Sequence, residues 1–526
     1  RIDMRKYLVS AAAALTLSAC ASAPPTPPPA KPAPVAVMPA PVGALPPPPP
    51  ASTPDAAFRD KKPAPSASSV LFKAPEPTER TLPNGVKLLV VENHAVPLVA
   101  IDVLVETGID GEPLGKAGLS KFVAGMLTEG TKTRDATQLA EQIEDLSTIF
   151  YAQSTQETTQ IHVNALKEVL PQSLDILADV IMNPAFRKED VERERGLMLT
   201  DLEQKASSPG LLARDEQLRI MYGDKHPWGQ PTGGTPATVK AITIADMVKF
   251  HDLYFRPTNT IISVSGDTTA DEMAKLLTEK LSGWKKRPRV VVKLPKPKPA
   301  AKRTIVVVDK PGASQSQVWT FGPAVSAKDP DAIALRVANH ILGGPFARLD
   351  LNIRENKGYS YGARSTVALL KDHGLWLASS GVKANVTVEA LGEFEKELNA
   401  FVKPELKPGE LENAKEAQIR SLPSALERND AVATAMATLA FNGQPLDYFR
   451  TLPDKVAAID AAAVARVAAK YDRPDAWSIV IVGPRAASEA KLEAMKLGDI
   501  TFKSGEKTVA KAEATAKTIE DKPAKK

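Results

Sequence analysis

The chain has 526 residues, of which 43% are hydrophobic and one is a cysteine. This length exceeds one ordinary core, so at least two domains are expected, and a lone cysteine excludes an internal disulfide framework or a cysteine-based zinc site. The net charge of +5 lies at the ends: residues 1–23, 24–75 and 501–526 carry +2, +3 and +3, which leaves about −3 for 76–500 and no indication of nucleic-acid binding.

The first twenty residues have the pattern of a secretion signal. A basic pair precedes an apolar run over residues 8–17 that is too short to span a bilayer, and the run closes with LSAC, ending at Cys20. This ending resembles the bacterial lipobox. The resemblance implies a signal peptide over 1–20, lipidation of Cys20 and anchoring in the bacterial cell envelope, on the periplasmic face of the outer membrane because Ala21 is not acidic. The alternative is an ordinary signal peptide with a chance cysteine.

Three stretches cannot supply a hydrophobic core. Residues 21–75 are rich in proline and predict a disordered, extended spacer, while 288–303 form a second, basic linker. The charged tail 499–526 is predicted to be disordered. Two bodies of similar length remain, at 77–287 and 304–498.

In chain order, the first body mixes strand and helix patterns. The predicted strands are LLVVEN (88–93), VAIDVLVET (99–107), IHVNAL (161–166) and IISVSG (261–266). The predicted helices are GLSKFVAGML (118–127), TQLAEQIEDL (137–146), LPQSLDILADVI (170–181) and DVERERGLMLTDLEQ (190–204). The mixture predicts an α+β domain.

Both bodies end on the same pattern. The first reads YFRPTNTIISVSG from Tyr254 and the second reads YDRPDAWSIVIVG from Tyr471, each with glycine twelve places after the tyrosine. A pattern repeated at the end of both halves indicates a tandem duplication. We therefore expect an α+β domain that occurs twice.

The first predicted helix has an unusual outward face. Its apolar stripe recurs at i, i+3, i+4, i+7 and i+8, which is typical of an amphipathic helix. The stripe consists of Leu119, Phe122, Val123, Met126 and Leu127. Lys121, Ala124 and Gly125 lie off the stripe, so the remaining face carries almost no functional side chain.

These segments together resemble the pitrilysin–insulinase family of zinc peptidases, the inverzincins, over most of residues 77–498. The matching segments are Gly118-Leu119, Met126-Leu127, NGVKLLVVEN, HPWGQPTGGT, YFRPTN and LGGPFARLDLNIRENKGYSYG. The resemblance implies two tandem homologous domains, each an antiparallel-rich sheet packed with helices, that form a clamshell.

The family carries His-x-x-Glu-His on this helix, in which the histidines bind zinc and the glutamate activates water. Here Lys121 and Gly125 stand at the histidine positions and Ala124 stands at the glutamate position. Asp201, seven residues after Glu194, stands at the third ligand. An ammonium repels a dication, and a methyl or a hydrogen cannot coordinate one. The sequence therefore predicts no catalytic residue and no bound zinc in this chain.

The histidines offer no substitute for the lost ligands. None of the six has a partner histidine at i+4 or a nearby carboxylate in a zinc-binding pattern, so each is interpreted as a core or surface residue. They are His94, His162, His226, His251, His340 and His373.

The second body keeps two residues that the resemblance makes functional. Arg354 and Tyr361 correspond to an arginine–tyrosine pair that contacts the substrate backbone and the transition state, and Gly343-Gly344 corresponds to a loop that helps bind substrate or partner. Without the resemblance, Arg354 would form a salt bridge on a helix and Tyr361 would pack in the core.

Three functions follow from this pattern. The first is a non-catalytic subunit of a heteromeric zinc endopeptidase, in which this chain supplies the arginine–tyrosine pair to a zinc-bearing partner of the same family. The second is an envelope lipoprotein that binds peptides or acts as a scaffold without proteolysis. The third is an autonomous metallopeptidase with an unusual metal site.

Overall fold

The computed structural model describes residues 72–297 and 302–505. The predicted signal peptide over 1–20 and Cys20, nearly all of the spacer over 21–75, and most of the predicted tail lie outside the described residues. Those features therefore stay predictions.

The first body follows the predicted α+β pattern. Its strands are β1 (Thr78–Thr81), β2 (Lys87–Glu92), β3 (Leu98–Val105), β4 (Ile149–Ser154), β5 (Thr159–Leu166) and β6 (Thr260–Gly266). Its helices are α1 (Leu119–Met126), α2 (Ala136–Asp145), α3 (Leu170–Met182), α4 (Lys188–Ser207), α5 (Pro209–Tyr222), α6 (Pro236–Ala241), α7 (Ile244–Tyr254) and α8 (Ala270–Lys280). All four predicted strands and all four predicted helices are present.

The second body repeats the pattern. Its strands are β7 (Thr304–Asp309), β8 (Gln315–Ala324), β9 (Ser360–Leu369), β10 (Gly374–Lys383), β11 (Ser478–Gly483) and β12 (Asp499–Ser504). Its helices are α9 (Ala332–Gly343), α10 (Arg348–Asp350), α11 (Thr387–Phe401), α12 (Glu410–Ala425), α13 (Asn429–Phe441), α14 (Tyr448–Ala457), α15 (Ala461–Tyr471) and α16 (Arg485–Ala494). A π-helical turn, Leu351–Asn356, continues α10.

The two sheets share the order of five of their six strands. The outer strand differs, because β1 pairs with β2 in antiparallel and β12 pairs with β7 in parallel. The first runs β1-β2-β6-β3-β5-β4 and the second runs β12-β7-β11-β8-β10-β9. In both, the last three neighbouring pairs are antiparallel and the pair β2–β6, or its equivalent β7–β11, is parallel. The equivalence confirms a tandem α+β duplication with antiparallel-rich sheets.

Each sheet is covered on its second face by a helix from the other body. Helix α13 packs on β3 and β6, whereas α5 packs on β8 and β11. Leu212 and Ala213 of α5 join Val306, Phe321 and Val480 in one buried cluster. Because both faces are covered, β6 and β11 are buried along their whole length, and β11 has a continuous apolar run from Ile479 to Val482.

The boundary predicted at residue 498 is wrong. Residues Asp499–Ser504 form β12, which pairs with β7 in parallel, so the sheet extends six residues into the predicted tail. Ile500 and Phe502 alternate on this strand and pack against the core of the second body, although the tail as a whole is charged and has few large apolar residues.

The linker between the bodies has neither helix nor strand over its described residues 288–297. It is nevertheless attached to the first body, because the backbone of Val290 exchanges two hydrogen bonds of 2.8 and 2.6 Å with the side chain of Asn259. Across residues 72–297 and 302–505, no helix has the length and apolar character needed to cross a membrane.

A buried carboxyl in the second body should make stability depend on pH. Asp472 is 0% exposed, and burial, together with nearby Glu395 and Asp475, raises its pKa to about 8. The folded chain therefore keeps a proton that the unfolded chain loses near pH 4. We expect the free energy of unfolding to fall between pH 4 and pH 8, by at least about 1 kcal/mol.

Asp472→Asn should remove the part of this dependence that Asp472 contributes, because the amide carries no proton to lose. Urea denaturation at pH 5 and pH 8 measures the effect. Equal slopes of stability against pH in both proteins would contradict the assignment.

Candidate functional site

Helix α1 carries the altered metal motif, and a glutamate in the preceding loop binds its N-terminus. The carboxylate of Glu112 accepts hydrogen bonds from the backbone N–H groups of Gly118, at 3.1 Å, and Ser120, at 2.8 Å. The Ser120 hydroxyl donates a third bond of 2.6 Å. Because the first N–H groups of a helix lack internal partners, this carboxylate stabilises the start of α1.

The loop inside HPWGQPTGGT packs against the same helix end. Gly118 and Gly234 both have positive φ, and a Cβ on Gly234 would lie 2.2 Å from the backbone oxygen of Ala117. The Thr238 hydroxyl donates to that oxygen at 2.9 Å. Only glycine permits this approach, so the loop fixes the position of α1 in the first body.

The structure brings two of the four altered metal positions into direct contact. The Nζ atom of Lys121 lies 2.9 Å from Oδ2 of Asp201, and the two side chains are 49% and 59% exposed. A lysine ammonium thus neutralises the carboxylate that would otherwise be available to a metal ion. Ala124, three residues after Lys121 on α1, is only 2% exposed, so the prediction that it belongs to the outward face is wrong.

The side chain of Glu194 lies next to Gly125, another of the altered metal positions. A Cβ built on Gly125 would be 2.6 Å from Oε1 of Glu194, so this carboxylate takes part of the space that a larger side chain would need. Burial raises the pKa of Glu194, Glu129 and Asp201 raise it further, and Lys121 lowers it. Glu194 and Asp201 are seven residues apart on α4 and therefore share one face.

These residues do not fit a zinc ion. A catalytic zinc needs three protein ligands, and the four positions offer one carboxylate, which is already paired with an ammonium. In the described part of the chain, no three histidine, cysteine, aspartate or glutamate side chains group closely enough to hold a metal ion. That this chain binds no zinc remains a prediction, which metal analysis of the purified chain can test.

The second predicted site lies at one corner of the second body. Arg354 lies on the π-helical turn, a type of turn that is frequent at functional sites, and Tyr361 is the second residue of β9. The Arg354 side chain is 39% exposed and Tyr361 is 90% exposed. The reading that places Tyr361 in the core is therefore wrong, and both groups face solvent.

Asp350 is the buried centre of this corner. Its side chain is 0% exposed, and Oδ1 accepts bonds from the Arg364 guanidinium at 2.6 Å and from the backbone N–H of Ala363 at 3.3 Å. Oδ2 lies 3.7 Å from Nη1 of Arg354, whose Nε lies 3.3 Å from Glu355. One carboxylate therefore orients Arg354 relative to the start of the strand that carries Tyr361.

The predicted glycine loop adjoins the same corner. A Cβ on Gly343 would lie 2.2 Å from the backbone N of Ser365 on β9, so the end of α9 can approach the strand only with glycine there. A Cβ on Gly344 would lie 2.7 Å from the backbone oxygen of His340. Phe346, just beyond the pair, has φ of 56° and is 69% exposed, which leaves an apolar side chain in solvent.

The two predicted sites lie in different bodies. Among the described residues, no hydrogen bond or ion pair joins the corner around Arg354 and Tyr361 to the pair Lys121–Asp201. The chain therefore does not assemble the arginine–tyrosine pair and the altered metal positions through direct contact.

Sequence reasoning missed a cluster that two histidines form across the seam between the bodies. The Tyr222 hydroxyl and Nε2 of His373 are 2.8 Å apart, His226 stacks on Tyr222 at 4.9 Å, and Trp228 lies 5.2 Å from the His373 ring. Burial lowers the pKa of His373 to about 4, so this ring is neutral. The contacts join residues 151 positions apart, which no local pattern reveals.

Two family models match the chain. One, described as Insulinase (Peptidase family M16), matches residues 87–235, and one described as Peptidase M16 inactive domain matches residues 241–418. The matched ranges cover helix α1 and the corner with Arg354 and Tyr361, respectively.

Similar proteins include bacterial and mitochondrial chains. The uncharacterized zinc protease YmxG of Bacillus subtilis is 26% identical over 388 residues, 74% of this chain and 93% of its own length. A probable mitochondrial-processing peptidase subunit beta of Arabidopsis thaliana is 24% identical over 434 residues, 79% of this chain and 80% of its own.

Crystal structures share the fold. An M16 inactive domain from Pseudomonas fluorescens has a TM-score of 0.73 at 22% identity, covering 78% of this chain and 98% of its own. A protease from Helicobacter pylori gives the same TM-score and identity over 78% of this chain and 100% of its own.

Proposed function

Because the chain belongs to the M16 (pitrilysin–insulinase) peptidase family, we propose that it is the non-catalytic subunit of a heteromeric zinc endopeptidase. In this proposal a zinc-bearing chain of the same family is the partner, and the substrate is a peptide. This chain supplies Arg354 and Tyr361 to the partner's site, and a lipid on Cys20 anchors the assembly in the cell envelope.

The ion pair between Lys121 and Asp201 is the observation that carries the proposal. A chain that cleaved peptides alone would need ligands and a base at these positions, whereas here a cation and an anion neutralise each other 2.9 Å apart. The fold of the family is kept, and the residues that would perform hydrolysis in this body are absent.

The exposure of the second site supports a role across an interface. Arg354 is permanently charged and offers N–H donors, and the Tyr361 hydroxyl offers one O–H donor. Donors of this kind stabilise an oxyanion best in a site that excludes water. Because Tyr361 is 90% exposed in this chain, another molecule must cover it before it can act in that way.

The relatives are compatible with this division of labour. YmxG is named as a zinc protease, and the Arabidopsis protein is named as one subunit of a processing peptidase. We propose by analogy that the present chain works beside a second, metal-bearing chain.

Co-purification from the membrane fraction, followed by peptidase assays, tests the proposal. We expect a His-x-x-Glu-His chain of the same family to co-purify, and we expect the pair to cleave peptides at least about 100-fold faster than that chain alone. The proposal fails if the pair is no faster than the zinc-bearing chain. It also fails if this chain alone holds about one equivalent of zinc and shows chelator-sensitive proteolysis.

A further inference from the structure

A cavity lies on the face of the first sheet against which α13 packs, and neither Lys121 nor Arg354 lines it. It has a volume of about 120 Å³ and is lined by side chains of β3, β4 and β5 and by the residues around the start of α13. This volume is below the roughly 300–1,000 Å³ that is typical of small-molecule sites, so the cavity suits a single group of side-chain size.

A buried carboxylate forms the floor of this cavity. Asp102 on β3 is 1% exposed, and neither carboxylate oxygen accepts a hydrogen bond of normal geometry among the described residues. Its polar neighbours are His162, whose Nδ1 lies 3.4 Å from Oδ2, and the hydroxyl of Thr434 on α13. Burial raises the pKa of Asp102, whereas His162 and the Thr434 hydroxyl lower it.

A second acceptor without a donor lies in the same cavity. Asn164 is two residues beyond His162 on β5, so both side chains point to the same face of the sheet. The amide oxygen Oδ1 of Asn164 is buried and accepts no hydrogen bond in the described part of the chain. The cavity thus presents three buried acceptor oxygens, which favour a ligand with several N–H donors and a positive charge.

The walls of the cavity are apolar and aromatic. Tyr151 on β4 is 48% exposed, and its ring stacks on that of His162 with 4.5 Å between centroids. Ile149, two residues earlier on the same strand, is 57% exposed. An alkyl stem can pack on these side chains, and a flat cation gains further attraction from the face of the tyrosine ring.

The mouth of the cavity adds no net charge. Arg428 and Asp430 line it and form an ion pair with each other, with 74% and 41% of their side chains exposed. Arg428 already places a guanidinium beside this region from the second body. It is therefore an internal competitor for any cation that enters.

We propose that the cavity formed by Asp102, Asn164 and Tyr151 binds the guanidinium side chain of an arginine in a peptide. The planar guanidinium carries five N–H donors, enough for three acceptors, and it stacks on aromatic rings better than an ammonium does. The cavity opens beside β4, the outermost strand of the sheet, where an extended peptide can lie alongside. The inference rests on the proposed function only in that this chain binds peptide.

The test compares two peptides on the intact chain without its partner. The probes are acetyl-Ala-Ala-Arg-Ala-Ala-amide and the same peptide with citrulline, which keeps the shape of arginine and removes its charge. We expect isothermal titration to show the arginine peptide binding about tenfold or more tightly. Equal affinities would overturn the proposal.

Substitutions with opposite expected effects sharpen the test. Asp102→Asn keeps the side-chain size and should abolish the preference for arginine, whereas Arg428→Ala should strengthen arginine binding by removing the competitor. Asp472→Asn is the matched control, because Asp472 is another buried carboxyl without a hydrogen-bond donor and does not line the cavity. A preference that survives Asp102→Asn, in a variant with an unchanged melting curve, would overturn the assignment.

Titrations in two salts distinguish binding of a guanidinium from binding of an inorganic cation. Titrations in potassium chloride and in choline chloride of equal ionic strength should give the same preference for arginine. If potassium alone removes that preference, the cavity is an inorganic-cation site and the proposal fails. None of these measurements uses turnover, so failure here leaves the peptidase assay of the assembled pair unaffected.

Discussion

Replacing Tyr361 by phenylalanine in this chain is expected to slow peptide cleavage by the assembled pair by about 100-fold or more, because loss of one donor to an oxyanion typically costs about 10²–10³ in rate. Arg354→Ala should cause a loss of similar size, since it removes a charged donor from the same corner. The loss should appear in kcat, because an interaction made mainly in the transition state is being removed.

Controls must separate catalysis from assembly. Tyr361→Phe removes only a hydroxyl from a side chain that is 90% exposed, so folding should be unchanged. Arg420→Ala removes another partly exposed arginine, paired with Glu416 four residues earlier, and should leave turnover intact. If the Tyr361 and Arg354 variants co-purify with the partner and cleave at the normal rate, the pair has no role in the reaction.

Restoring the metal ligands should create a zinc site. The combined variant Lys121→His, Ala124→Glu, Gly125→His and Asp201→Glu supplies two histidines four residues apart and a carboxylate from α4. Three protein ligands are sufficient for a catalytic-type zinc site, so about one equivalent of zinc is expected in the variant, whereas we predict none for the natural chain. Metal analysis after exhaustive dialysis measures the difference.

The control for this variant is a triple substitution that keeps the ammonium group of Lys121. Ala124→Glu, Gly125→His and Asp201→Glu together leave Lys121 in place, and its charge should prevent tight zinc binding. The new side chain at residue 125 must displace the Glu194 carboxylate, which is the end of a flexible side chain and can rotate away. Equal zinc content in the natural chain and the combined variant would show that these four positions do not control metal binding.

The sequence predicted the interior of the first sheet better than its edges. Strands β2, β3, β5 and β6 were recognised because each contains an apolar run, which burial on one or both faces requires. Strands β1 and β4 were missed. Their sequences, TERT and IFYAQS, are largely exposed or alternate weakly, and only pairing with a neighbouring strand defines them.

The candidate site was predicted in part. The family resemblance assigned Lys121 and Asp201 to positions of one metal site, and the structure places their side chains in contact, but the sequence could not show that the ammonium and the carboxylate bind each other. Asp350 was not singled out, because its role depends on Arg364 and Ala363, which come from the following strand. The cavity floored by Asp102 depends on the register of three strands, which the sequence does not specify.

The crossing of α5 and α13 onto the opposite sheets has a consequence for how this gene can change. Each repeat supplies a wall of the other's interior, so the two copies descended from one ancestor are no longer independent. A substitution that changes the packing surface of one copy must still fit side chains that are encoded hundreds of nucleotides away. The duplication therefore behaves as a permanent dimer within one polypeptide. Either copy could lose its catalytic side chains only if it kept the surface that packs against the other copy.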